Sequence, residues 1–108
     1  MKKISRDELK RLIDGSQELV LLEALSESNF AAGHLPGARH FPPEQAESRA
    51  KTTIPGQTST VVVYCASDTC KNSEQAAETL ERLGYGDVRV YPGGKKDWEA
   101  AGLPLERK

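Results

Sequence analysis

Apolar positions along this chain follow two rhythms, one of helical spacing and one of short continuous runs, and the two alternate. Ser5 and Glu8 have the spacing of a capping box, and Leu9, Leu12 and Ile13 repeat at helical intervals until Asp14-Gly15 breaks the pattern. This predicts a short amphipathic helix. Leu19 to Leu22 form an apolar run of strand length, which ends in Glu23-Ala24-Leu25 before a polar loop. GHLPGA at 33–38 carries the glycines and proline of a turn, and Arg39-His40-Phe41 can extend briefly before Pro42-Pro43. Pro43 with Glu44 suits the first turn of a helix running to Lys51, and Thr52 to Ser59 has the composition of a surface loop.

Thr60 to Tyr64 is β-branched and aromatic, the strongest strand signal in the chain. After a polar stretch, Asn72 or Ser73 is placed to cap a helix in which Ala76, Ala77, Leu80 and Leu83 share one face and which Gly84 terminates. Val88 to Tyr91 reads as a further strand, closed by Pro92-Gly93-Gly94. Lys95 to Ala101 makes a last short helix presenting Trp98, stopped by Gly102-Leu103-Pro104. Helices alternating with short, continuously apolar strands predict an α/β domain with a parallel sheet covered on both faces. In open sheets of that class ligands sit beyond the carboxyl ends of the strands. Cys65 stands at such an end.

The length of 108 residues suits one domain spanning 1–108. An apolar fraction of 37% with 29% charged residues fits a globular protein, and 15 basic against 16 acidic residues give no electrostatic ground for a nucleic-acid partner. The opening MKKISRDELKRL lacks the continuous apolar region of a secretion signal, and no later run reaches bilayer length. The expectation is therefore cytoplasmic localisation without membrane association. In that compartment the two cysteines are expected as reduced thiols, buried or reactive, rather than as a structural staple. His34 and His40 form no paired ligand motif with them, so no metal is expected.

The stretch after Thr60–Tyr64 is where chemistry is expected. Residues Ala66, Ser67, Asp68, Thr69, Cys70 and Lys71 contain no proline, so each offers a backbone N–H, and a loop curled above the following helix would converge those donors on one point. The helix N-terminus and Lys71 add positive charge and favour a Cys65 thiolate, depressing its pKa below the ordinary value of about 8.5, against the opposing charge of Asp68. A cysteine after a strand can also be a small buried hydrophobe. The polar loop weighs instead for a wet, reachable nucleophile at Cys65.

VVVYC, AAETLERLGY and VRVYPGGKKDWEAAGLPLE, with AAGHLPGARHFP upstream, occur in an order and at intervals that resemble a rhodanese, or sulfurtransferase, domain over nearly the entire chain. The resemblance implies a rhodanese-like α/β fold, a five-stranded parallel sheet flanked by helices on both faces. It also implies that Cys65 takes a sulfane sulfur from a small anionic donor such as thiosulfate or a persulfide, holds it as a persulfide, and passes it to a thiol or cyanide acceptor or to an unidentified protein. No cofactor is needed. Residues 66 to 71 would supply the anion-binding loop and Lys71 would attract the donor.

Several positions depart from the family pattern. Many rhodaneses follow the cysteine with C-R-x-G-x-R-S, whereas here the loop is longer, the second arginine's place is held by Cys70, and the basic residue falls at Lys71. The D-x-R that often ends the second strand reads Glu23-Ala24-Leu25. The string Cys65-x5-Lys71 also resembles the C-x5-R loop of dual-specificity phosphatases and related arsenate reductases. Lysine lacks the planar fork that grips two oxyanion oxygens, which ranks that reading below sulfur transfer.

Cys70 carries two readings. It can act as a resolving cysteine that attacks a persulfide or sulfenate on Cys65 and leaves a disulfide, or it can pack beneath the loop at the start of the helix. The first would also suit a redox-sensing or interaction module. A bridge requires Cα atoms within about 7 Å. Among the remaining residues, the resemblance makes His34 structural, and His40 is expected at or near the surface. Gly93-Gly94 is expected as a turn allowing close approach of the last helix, and Trp98 as core or pocket wall. Glu23 and Asp97 are expected as solvated carboxylates near the mouth of the site.

Overall fold

A computed structural model describes residues 1–15 and 18–107 of the chain. Its elements are β1 (Lys2–Lys3), α1 (Arg6–Gly15), β2 (Leu19–Glu23), α2 (Glu27–Ala32), β3 (Arg39–His40), a single 3-10 turn (Pro43–Gln45), α3 (Ala46–Thr53), β4 (Thr60–Tyr64), α4 (Asn72–Arg82), β5 (Val88–Tyr91) and α5 (Gly94–Ala100). The five strands form one parallel sheet in the order β1-β5-β4-β2-β3. Successive strand residues point to opposite faces, so the continuous apolar runs feed two cores at once. Val61 and Val63 of β4 join Leu22, Val90, Ala50, Ile54, Ala77 and Leu80 on the face covered by α3 and α4. Val62 and Tyr64 join Leu9, Leu21, Phe30, Tyr91 and Trp98 on the face covered by α1, α2 and α5. No helix among the described residues is long and apolar enough to cross a membrane.

The predicted boundaries at α1, β2, β3, β4, β5 and α5 agree with the structure to within a residue or two. The capping box forms as the spacing predicts, with Ser5 Oγ accepting from Glu8 N at 3.2 Å and Glu8 Oε1 accepting from Ser5 N at 3.2 Å. Those bonds hold the Glu8 carboxyl below its ordinary pKa, the backbone N–H of Ser5 contributing most.

Two elements lie outside the sequence reading. β1 is a pair of exposed lysines that add to the sheet edge through backbone alone, anchored by Ile4, whose N–H donates to Val90 O at 2.9 Å. Helix α2 was expected as polar loop because only Phe30 turns inward; Ser26 caps it by accepting from Asn29 N. The helix expected from Pro43 instead opens with the 3-10 turn and becomes α-helical at Ala46.

The cap expected for α4 is corrected. Lys71 occupies that position without a side-chain cap bond, Ser73 is buried, and Asn72 Nδ2 donates to Ala24 O at 3.1 Å. The amide side chain satisfies a carbonyl just past the end of β2, which leaves it no reach to the helix's own N–H groups.

Candidate active site

The site is built where β4 runs out. Thr60–Tyr64 is sealed between β2 and β5, with Leu19 to Glu23 paired residue for residue against Thr60 to Tyr64 on one side. The chain leaves the sheet at Cys65. The carbonyl of Cys65 accepts from Lys95 N at 3.1 Å and that of Ala66 from Lys96 N at 2.9 Å, so the first turn of α5 is bonded to the start of the loop. Gly94 makes this approach attainable. Its φ of +63° belongs to the left-handed region, and a Cβ there would overlap the Cys65 carbonyl oxygen and the Ala66 backbone. The expected close approach of the last helix at Gly93-Gly94 is thus an approach to the cysteine itself.

Beyond Ala66 the loop is loosely tied. Cys70 N donates to Ser67 O at 3.1 Å, and the hydroxyls of Ser67 and Thr69 lie 3.0 Å apart. The amides of Ala66, Ser67, Asp68, Thr69 and Lys71 donate to no protein acceptor among the described residues. Free amides on a strand-to-helix loop are what an anion cradle requires.

The thiol chemistry differs from expectation. Cys65 and Cys70 are joined in a disulfide with Cα atoms 6.3 Å apart, and Cys65 is 1% exposed while Cys70 is half-buried. The expected pair of reduced thiols, with Cys65 open to water, is corrected to an oxidised pair whose Cys65 sulfur is covered. A five-residue separation on a loop that folds back through the Ser67–Cys70 bond brings the two Cα atoms within bridging range. Lys71, expected as the donor-attracting cation, is 73% exposed and lies 3.4 Å from Glu74 one turn along α4.

The carboxylate expected to be solvated at position 23 is fully buried. Tyr64 OH donates to Glu23 Oε1 at 2.7 Å and accepts from Leu35 N at 3.0 Å. Glu23 Oε2 receives no well-angled hydrogen bond and rests 3.1 Å from the ammonium of Lys95, which also donates to Asn29 O at 2.8 Å. Burial foremost, and then the charge of Glu23, push the Tyr64 phenol well above its ordinary pKa. Buried charge persists when it is paired, and this pair spans the gap between β2 and α5. Lys95 therefore grips the site twice, through its amide on Cys65 O and its ammonium on Glu23. Sequence reasoning missed this lysine. The available signal was an acid at the end of a buried strand, in register with a buried tyrosine.

Asp97 is likewise engaged, accepting from Tyr91 OH at 2.5 Å and from Arg6 Nη1 at 3.1 Å. Burial first, and then the hydrogen bond to Asp97 and its charge, raise the pKa of Tyr91. His34 Nδ1 contacts Phe30 O at 2.9 Å and its ring stacks on Phe30, a tethering role in keeping with the family resemblance. His40, half-buried, meets Leu25 O through Nε2 at 2.8 Å. Trp98 is buried, its Nε1 donating to Pro104 O.

Clefts flank the loop. One of about 620 Å³ is lined by Leu25, Asn29, Ala66, Lys95, Lys96 and Glu99. Another of about 290 Å³ is lined by Cys70 with Lys3, Asp68, Lys71, Glu74 and Pro92. Lys96 borders the first and has no carboxylate within ion-pair distance among the described residues.

A parallel α/β sheet with a cysteine loop at the carboxyl end of its central strand defines the class of protein. Residues 5–101 match the model of the rhodanese-like domain, and the chain belongs to that family. It is 30% identical over 104 residues to the HTH-type transcriptional regulator Rv0324 of Mycobacterium tuberculosis, covering 95% of this chain but only 44% of the regulator. It is 29% identical over 102 residues to a sulfurtransferase of Allochromatium vinosum, covering 94% of this chain and 92% of that one. Among solved structures, the human single-domain sulfurtransferase TSTD1 superposes with a TM-score of 0.81 at 27% identity, over 93% of this chain and 96% of that one.

Proposed function

We propose that this chain is a sulfurtransferase that carries sulfane sulfur on Cys65. Membership of the rhodanese-like family and the sulfurtransferases among its relatives support sulfur transfer as the general activity. The observation that carries the residue assignment is Cys65 at the carboxyl end of β4, held by α5, ahead of a loop whose amides, that of Cys70 apart, are uncommitted among the described residues.

In the reduced protein the Cys65 thiolate attacks the outer sulfur of thiosulfate or of a persulfide. A bond forms between Cys65 Sγ and that sulfur, the donor's S–S bond breaks, and sulfite or a thiolate leaves with the electron pair. An acceptor thiolate or cyanide then attacks the outer sulfur and returns Cys65 as thiolate. Amides of residues 66 to 69 and of Lys71 stabilise the anionic persulfide as an oxyanion hole would, and Lys96 beside Ala66 supplies positive charge for an anionic donor. The test is intact mass after reduction, removal of reductant and incubation with thiosulfate. Cys70→Ser is expected to gain one sulfur atom and Cys65→Ser none. Failure of Cys70→Ser to gain sulfur from thiosulfate or from a low-molecular-weight persulfide would overturn the assignment.

The Cys65–Cys70 bond favours a second reading, a redox-sensing module that exchanges thiols for disulfide without turnover. Thiocyanate formed catalytically by Cys70→Ser from thiosulfate and cyanide would exclude it.

A further inference from the structure

We propose that Cys70 discharges the Cys65 persulfide as sulfide, so that the reduced protein acts as a thiosulfate- or persulfide-reducing unit and closes itself in the disulfide form. The proposal rests on the assignment of Cys65 as the sulfur carrier. Its basis is the geometry of the pair. The folded backbone already holds the two Cα atoms 6.3 Å apart with the sulfurs bonded, so the attack needs no refolding of the loop.

The two ends of that bond are unequally held. Cys65 lies under the sheet end with its own carbonyl and that of Ala66 bonded to α5, whereas Cys70 follows exposed Asp68 and Thr69 and its N–H is bonded only to Ser67 O. Cys70 is thus the arm that moves. It stands immediately before Lys71 and the eleven-residue helix α4. It also lines the 290 Å³ cleft that Cys65 does not, which gives a dithiol reductant a way in to the Cys70 end of the bond.

The step balances without an added oxidant. The Cys70 thiolate attacks Cys65 Sγ, the inner sulfur of the persulfide. The Sγ–Sγ bond forms, the bond to the terminal sulfur breaks, and that sulfur departs with the electron pair as hydrosulfide. Two thiols and one thiosulfate become one disulfide, one sulfite and one hydrogen sulfide. The two cysteines give up the two electrons that the sulfane sulfur gains. A reductant of the dithiol class reopens the pair for the next cycle and is itself oxidised to a disulfide. Cyanide attacks the outer sulfur instead and competes with Cys70 for the same intermediate.

The experiment incubates anaerobically reduced, reductant-free chain with thiosulfate and reads released sulfide together with intact mass. The parent chain is expected to release one sulfide per molecule and end two hydrogens lighter than its reduced form. Cys70→Ser and Cys70→Ala are expected to keep the added sulfur and release no sulfide. If the parent retains the added sulfur as long as the Cys70 variants and releases no sulfide, this inference fails while the Cys65 assignment stands. Equal sulfide release by the Cys70 variants also overturns it. Absence of added sulfur in both Cys70 variants together with absence of sulfide from the parent overturns both.

Discussion

The two faces of the sheet are built from the same strands yet differ in chemistry. Under α3 and α4 the core is hydrocarbon from Val20 to Leu80, with Tyr85 at its margin. Under α1, α2 and α5 it contains the Glu23–Tyr64–Lys95 network and the Tyr91–Asp97–Arg6 chain alongside Leu9, Leu21 and Trp98. Burying polar groups is costly unless each is satisfied, so a polar face persists when geometry demands it. Here the demand is local: Lys95 and Tyr64 tie α5 and the residue before Cys65 to the end of β2. The apolar face supplies cohesion, and the polar face sets where the cysteine loop sits.

That contrast can be broken most severely at Lys95. Lys95→Met leaves Glu23 buried without its cation and is expected to cost about 3–5 kcal/mol in denaturant unfolding. Pairing it with Glu23→Gln should recover part of the loss, and a double variant no better than Lys95→Met alone would refute the pairing. On the opposite face, Leu80→Ala removes buried hydrocarbon and is expected to cost about 2–5 kcal/mol. Sulfur loading of Cys65 in its folded fraction should stay at the parent level, measured by mass after reduction. A loading defect there would deny the division of labour between faces.

Tyr64→Phe sharpens the comparison through pH. Its loss strips a bond from Glu23 and one from Leu35 N, at about 1–3 kcal/mol near neutrality. Because the folded phenol is held above its ordinary pKa, Tyr64 stabilises the fold fully below about pH 10, and that contribution declines as pH rises and the unfolded chain ionises, by about 1.4 kcal/mol per pH unit. The gap between parent and variant in stability should therefore narrow in alkali.

The smallest effect is expected at the far end of β4. Asp87 there accepts from Arg89 and Thr60, the Arg89 bond being the main cause of its lowered pKa. Asp87→Asn should cost less than about 1 kcal/mol at neutral pH. A depressed carboxyl stabilises above the unfolded pKa of about 4 and ceases to as pH falls through the folded one, so the difference should vanish in acid. Sulfur loading should not change.

Much of this was legible in the one-dimensional pattern. β-branched residues at 60–64 wrote β4, helical spacing wrote α1 and α4, and glycines at 84 and 102 closed α4 and α5. Placing Cys65 at a strand's carboxyl end followed from that pattern alone. β1 and α2 were illegible because an edge pair of lysines and a helix with one buried residue leave almost no apolar period to detect.

What the sequence by itself determined, then, is the order of the elements other than β1 and α2, the parallel sheet and the address of the cysteine loop, because hydrophobic periodicity and turn chemistry are local properties. Tertiary structure alone decided that Glu23 is buried against Lys95, seventy-two positions away, and that Gly94 presses on the Cys65 carbonyl. It also decided that Cys65 and Cys70 lie bonded. These depend on which surfaces meet when the helices close over the sheet, and composition and spacing hold no record of such meetings.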